Sequence, residues 1–194
     1  MISYNQAGQE EWVRSYLKDK RAGYFVDVGA YDGIESSNTF FLEKELGWEG
    51  LCIESNPEYY NKLIYTRGVK CVNKACMPFR GHATYKGIET FQSEHPGNST
   101  VESETLDTLL LTASAPKDID YISMDIEGHE LSIIESFPFC KWNVNLFTIE
   151  HNLYLIGDVY KTKIYDIMSA NGYDRVVENV MCPTGPYEDW YAKR

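Results

Sequence analysis

Residues 23–33 read "GYFVDVGAYDG", an apolar run that stops on a hinge of small residues, and "GLCIESNP" is a second apolar run closed by an acid, Glu54. No other feature constrains the fold as strongly. A continuous apolar run is what a strand buried on both faces needs. A tight glycine turn, followed by a second strand with a carboxylate at its tip, is how nucleotide sites are built.

The alternation continues along the chain. Apolar spacing, caps and breakers predict helices over 9–19, 36–48, 56–68, 103–111, 129–137 and 158–172. Strands are predicted over 24–29, 50–55, 69–75, 118–128 and 144–152, with a short edge strand at 82–87 and a final strand or strands from Tyr173. Strand and helix in turn imply a mostly parallel sheet with helices on both faces, an α/β fold. Ligands in such sheets bind beyond the carboxyl ends of the strands. That rule selects five tips: 29–33, 54–56, 73–76, 125–130 and 150–152.

Composition narrows the partners. The net charge is −11 and "KDKR" (18–21) is the sole basic cluster, so the footprint that binds nucleic acid is missing. No apolar run has the length of a transmembrane span, and the first residues lack a signal-peptide pattern. We therefore expect a cytoplasmic protein. The five cysteines include no C-x-x-C pair, and Cys52, Cys71 and Cys140 have apolar neighbours, which reads as a reduced chain with buried thiols. The 194 residues fit one domain, 1–194, which a larger multidomain protein could also carry.

The turn itself discriminates between nucleotides. A pyrophosphate-binding turn needs G-x-G-x-x-G, whereas this one is Asp27-x-Gly29-x-x-x-Gly33, with Tyr31 and Asp32 where backbone should approach phosphate. Bulk and like charge argue against NAD(P). S-adenosylmethionine carries adenosine without phosphate, has a sulfonium cation and ends in an amino acid, so acids around the turn suit it. Glu54 is placed to accept hydrogen bonds from both ribose hydroxyls.

The stretches "FVDVGAYDGIESSNTFFLEKELGWEGLCIESNP", "ETLDTLL", "YISMDIEGHELSII" and "FTIEHN" together resemble the FkbM-type methyltransferases, a branch of the S-adenosylmethionine-dependent class I enzymes. The most specific element is D-x-E-G-x-E, formed by Asp125, Glu127, Gly128 and Glu130. The resemblance implies a Rossmann-like class I methyltransferase fold with a mostly parallel seven-stranded sheet flanked by helices. It also implies transfer of a methyl group to a hydroxyl, often on a sugar of a glycan, glycolipid or natural product, and fusion to other glycan-processing domains. Two positions depart from the pattern: Ser123 stands where many relatives have lysine, and His129 where a small residue is common.

For the cofactor we assign Asp27, Gly29, Ala30, Asp32, Gly33, Ser37, Asn38, Glu54, Ser55 and Asp125, with Ala75 in the 73–76 segment that family position puts against adenine. The resemblance puts Asp125 nearest the methyl group. A hydroxyl is a poor nucleophile until its proton leaves, and a general base contributes roughly 100- to 10,000-fold. The four histidines are His82, His95, His129 and His151, and the last two fall at predicted tips. His151 is the first candidate for the base, with His129 and Asp125 as alternatives and Glu127 beside them. Asp125, Glu127 and Glu150 with His151 could attract a divalent metal, but their spacing matches no ligand pattern and no metal site is assigned. The aromatic tail "GPYEDWYAKR" packs on the sheet or stacks on a sugar ring. The competing readings are a methyltransferase of a non-sugar small molecule, an NAD(P)-dependent oxidoreductase, and a binding module of the same fold without turnover.

Overall fold

The computed structural model describes residues 4–85, 99–153 and 157–194. Elements follow in the order α1 (Gln9–Tyr16), β1 (Tyr24–Val28), α2 (Phe40–Lys44), β2 (Glu49–Ile53), α3 (Pro57–Thr66), β3 (Lys70–Val72), β4 (Ala75–Cys76), β5 (Gly81–Tyr85) and β6 (Ser99–Glu104). After these come α4 (Leu106–Ala113), β7 (Asp118–Met124), α5 (Glu130–Ser136), β8 (Asn143–Glu150), α6 (Asp158–Ala170), β9 (Tyr173–Cys182) and β10 (Gly185–Lys193). His95 and the last residues of the predicted edge strand, 86–87, lie outside the described residues.

Seven strands form the main sheet in the order β3-β2-β1-β7-β8-β10-β9, and β10 alone runs against its neighbours β8 and β9. The order reverses between β1 and β7, so their tips form the switch point where such sheets bind ligands. This is a Rossmann-like, mostly parallel α/β architecture, as the alternating runs imply.

The central strands β1, β2, β7 and β8 bury both faces, which explains their apolar runs. On one face Val26, Val28, Ile122 and Met124 pack with Leu109 and Leu110 of α4, Ile133 and Ile134 of α5 and Ile164 of α6. On the other, Phe25, Cys52, Tyr121 and Leu146 pack with Val13 of α1, Leu42 of α2 and Leu63 of α3.

Several expected elements change on folding. The strand expected over 69–75 divides: β3 joins the main sheet, while β4 turns away into a three-stranded sheet ordered β4-β6-β5. Asn73 makes the break, its Nδ2 donating to the carbonyls of Glu54 (2.8 Å) and Ser55 (3.0 Å). Ser103 and Glu104, expected at a helix start, end β6, and Thr105 caps α4 by accepting from the Thr108 N–H at 3.2 Å. The tail is neither a surface pack nor a free aromatic arm: it is β10, inside the sheet, with Tyr191 fully buried. Of the three cysteines with apolar neighbours in sequence, Cys52 is buried, Cys71 half-buried and Cys140 exposed; Cys76 is buried as well. Among the described residues no helix is long and apolar enough to cross a membrane.

Candidate active site

Register places polar groups in rows. Asp27 on β1 pairs with Ser123 on β7, which pairs with Thr148 on β8, so one rung is polar across three adjacent strands. Side chains alternate along a strand, so two residues further on the same face returns. That step reaches Gly29, Asp125 and Glu150, and Glu150 pairs directly with Glu188 of β10. Three carboxyls therefore stand side by side at the tips of β7, β8 and β10.

The inner rung is held together by hydrogen bonds. Asn38 Nδ2 donates to Ser123 Oγ at 3.0 Å, Tyr121 and Thr148 share a hydroxyl contact at 2.7 Å, and Thr39 Oγ1 donates to Asp27 Oδ2 at 2.5 Å. Asn38 is 6% exposed, yet its Oδ1 has no partner among the described residues.

The outer rung is different. Asp125 and Glu150 stand next to each other on this rung, and their carboxyls act on each other. Burial, then the carboxyl of Glu130, pushes Asp125 up to about 6. Burial, then Asp125, holds Glu150 well above the carboxylate range. Burial raises Glu188 to about 8, against donation from Trp190 Nε1 and, at 3.0 Å, Gln9 Nε2. Glu127, exposed at the rim with φ +59°, is raised to about 7 by partial burial and then by Asp125. Among the described residues no lysine or arginine forms an ion pair with any of these four.

At the neighbouring tip, Glu54 receives the N–H of Tyr31 on Oε2 (2.8 Å) and that of Asn56 on Oε1 (2.7 Å), which fixes its plane. Burial nevertheless raises it to about 7. The Tyr31 ring, 4.0 Å from that of Tyr59, forms an aromatic wall beside it.

The FkbM-type methyltransferase domain, described as "Methyltransferase FkbM domain", matches residues 27–175. The chain belongs to the FkbM methyltransferase family. Among solved structures, the Methyltransferase FkbM from Methylobacillus flagellatus KT superposes with a TM-score of 0.60 at 14% identity, over 89% of this chain and 44% of that one. This chain thus spans under half of that relative's length. The precorrin-6y C5,15-methyltransferase from Geobacter metallireducens GS-15 gives 0.52 at 14% identity, over 95% and 87% of the two chains. The N-terminal domain of human METTL16 in complex with SAH gives 0.55 at 13% identity, over 94% and 67%. At such identities the likeness is one of fold. None of the curated proteins matches the chain.

Within this family fold, the residues expected at the site divide into two groups. Glu54, Asn38, Asp125 and Glu127 reach the tips with oxygens available to a ligand. The remainder have local duties. The N–H groups of Gly29 and Ala30 both donate to the Ile53 carbonyl at 3.0 Å, so neither donor is free. Asp32 Oδ1 accepts from the N–H groups of Ile34 and Glu35, both at 2.9 Å, closing its own turn. A Cβ on Gly33 would meet Thr66, Leu63 and Arg67 within 2.8 Å, so Gly33 seats α3. Ser37 Oγ receives the Phe40 N–H at 3.1 Å and Arg67 at 3.3 Å. Asp27 faces Arg67 at 3.8 Å, and Ala75 is buried in β4. The Ser55 carbonyl is taken by Asn73.

The two histidines also differ from expectation. His129 is the exposed N-cap of α5 and its side chain caps nothing. His151 is 1% exposed; its Nδ1 accepts the Leu153 N–H at 3.2 Å, and its Nε2 lies 3.3 Å from Asp189 Oδ1 with no hydrogen-bond partner among the described residues. The Nδ1 lone pair is therefore taken, and the ring is turned toward Asp189 of β10. Glu130 is structural: its carboxylate receives the N–H groups of Ile126 (2.8 Å) and Gly128 (3.1 Å), pinning the D-x-E-G-x-E turn. Sequence reasoning missed Glu188 and gave Glu150 no role except toward a metal. Among the described residues no group of three or more His, Cys, Asp or Glu is arranged to hold a metal ion.

Proposed function

We propose that the chain is an S-adenosylmethionine-dependent O-methyltransferase acting on a hydroxyl of a sugar, in a glycan, a glycolipid or a deoxysugar. One observation carries the reading: the rung of Asp125, Glu150 and Glu188 at the switch point has no basic partner among the described residues. Adjacent carboxyls in a dry site favour a cation and repel a pyrophosphate. S-adenosylmethionine would supply an electrophilic methyl group on a cationic sulfur.

Glu54, already anchored by two N–H groups, keeps lone pairs for the ribose hydroxyls. Asn38 Oδ1, buried and unpartnered, suits an ammonium donor at the amino-acid end. Asn152 Oδ1, also buried without a partner, and Glu150 Oε2 leave further acceptors at the β8 tip, which favours an acceptor molecule rich in O–H groups. The residues position both reactants and exclude water, which is most of what methyl transfer asks of a protein.

The test has two stages. Titration calorimetry is expected to show S-adenosylhomocysteine binding and NADH not binding; the reverse result would overturn the cofactor. Methyl label from the cofactor should then reach a hydroxyl in a panel of sugars, glycolipids and nucleotide-sugars, with or without a chelator. Label on non-sugar acceptors alone would remove the sugar from the proposal.

A further inference from the structure

We propose that Asp125 and Glu150 work as one proton-accepting pair, which shares a single proton while the site lacks a cation and gives it up when a sulfonium lies against it. The inference rests on the cofactor reading above and adds to it a base and a means of arming that base.

The geometry comes first. The two residues end adjacent parallel strands, on the same face and on the rung that follows the Met124–Ile149 pair. Glu150 is 6% exposed and its buried Oε2 has no partner among the described residues, so the pair keeps one oxygen unused. The groups facing it are acids and phenols: Asp27 from β1, Glu127 and Glu130 around the start of α5, Glu188 and Tyr187 from β10, and Tyr160 from α6. None is a cation that would let both carboxyls ionise. Two carboxyls this close titrate as a unit, and one proton stays between them.

A positive sulfur beside the pair changes the balance. The doubly ionised form becomes favourable, and the shared proton leaves to solvent. Both carboxylates are then empty when the acceptor hydroxyl arrives. The pair takes the hydroxyl proton as the new O–CH3 bond forms; the S–CH3 bond breaks and its electrons remain on sulfur, now a neutral thioether. With the cation gone, the pair again prefers one shared proton, the one it has just taken. The cycle closes without another base.

The prediction separates two ligands that differ by one methyl group and one charge. Calorimetric titrations of the whole protein, run at neutral pH in buffers of unlike ionisation enthalpy, count protons released on binding. S-adenosylmethionine should release roughly one proton more than S-adenosylhomocysteine. Glu150→Gln should abolish the difference. Equal release by the two ligands overturns the pair, as does a difference that survives Glu150→Gln. If neither ligand binds, the cofactor reading falls instead. Infrared difference spectra of the unmutated protein decide the same question if Glu150→Gln fails to fold. The C=O band of a protonated carboxyl should be lost with S-adenosylmethionine and kept with S-adenosylhomocysteine, and a band unaffected by either ligand counts against the pair.

Discussion

Gly29 lies so close to Asp125 that a Cβ on the glycine would sit 1.7 Å from the Asp125 carbonyl oxygen, and its φ of +93° is in the left-handed region. The contact ties the β1 and β7 tips together at the switch point. Gly29→Ala must push them apart as well as strain the backbone. Each effect costs about 1–3 kcal/mol. Urea denaturation should show a loss on that scale, together with loss of S-adenosylhomocysteine binding. Normal binding by a folded Gly29→Ala protein would mean that the tips need not touch.

Arg67 is expected to be the most costly polar side chain to remove. Its side chain is fully buried and donates to Glu43 (2.5 Å), Thr39 Oγ1 (2.9 Å) and Ser37 Oγ (3.3 Å), with Asp27 at 3.8 Å. It joins α3 to the start of α2 and to the acid of the glycine turn. Removing one partner of a buried ion pair leaves the other charge uncompensated, at about 3–5 kcal/mol. Arg67→Ala should lose that much in denaturant unfolding, and a loss below about 1 kcal/mol would show that Asp27 and Glu43 are not carried by it.

Glu54→Gln tests the ribose contact without emptying the site. The amide keeps the volume and one oxygen, but loses the charge and part of the acceptor capacity. Hydrogen bonds to a charged group are worth about 1.5–3 kcal/mol, so affinity for S-adenosylhomocysteine should fall by about that amount. Calorimetry on a variant of unchanged melting temperature isolates the effect. Unaltered affinity would move the ribose elsewhere.

Most of the sheet was legible because its central strands are buried on both faces and therefore mostly apolar, as in "YFVDV" and "DIDYISM". The switch point and four of the carboxyls at the tips came with that reading. The remainder depended on contacts distant in sequence. β6, "STVESE", is too polar to signal a strand, and β10 looked like a tail because acids interrupt its aromatic run. Missing β10 had two consequences. Its register sets Glu188 beside Glu150 and brings Asp189 within 3.3 Å of His151, so one outer acid was overlooked and the carboxylate beside the expected base went unseen.

His151→Ala separates a structural ring from a base. The ring fills a buried space, receives the Leu153 N–H and covers Asp189, which is held low, against its own burial, by His151 and the Asn179 N–H. Loss of a buried side chain with these contacts should cost about 1–3 kcal/mol of stability. Affinity for S-adenosylhomocysteine should be retained at a temperature where the variant is folded. A methyl-transfer rate that falls far more than the folded fraction does would return the base to His151.

The outer rung also predicts how stability varies with pH. Asp125 at about 6, Glu54 at about 7 and Glu188 at about 8 all lie above the unfolded carboxylate value near 4. Between those limits the folded protein holds protons that the unfolded chain has released, so unfolding becomes easier as pH rises. Their contribution is complete below about pH 4 and is lost step by step up to about pH 8. Glu43 and Asp189, which are lowered, have the opposite sign, and their contribution is lost as pH falls below the usual carboxylate range. The two trends place the stability maximum on the mildly acidic side of neutrality. Thermal unfolding of the cofactor-free protein should therefore show a melting temperature that declines from about pH 5 to about pH 8. A temperature that stays level or climbs over that range would mean the row of acids is compensated in solution, and the reason for expecting a cation there would be gone.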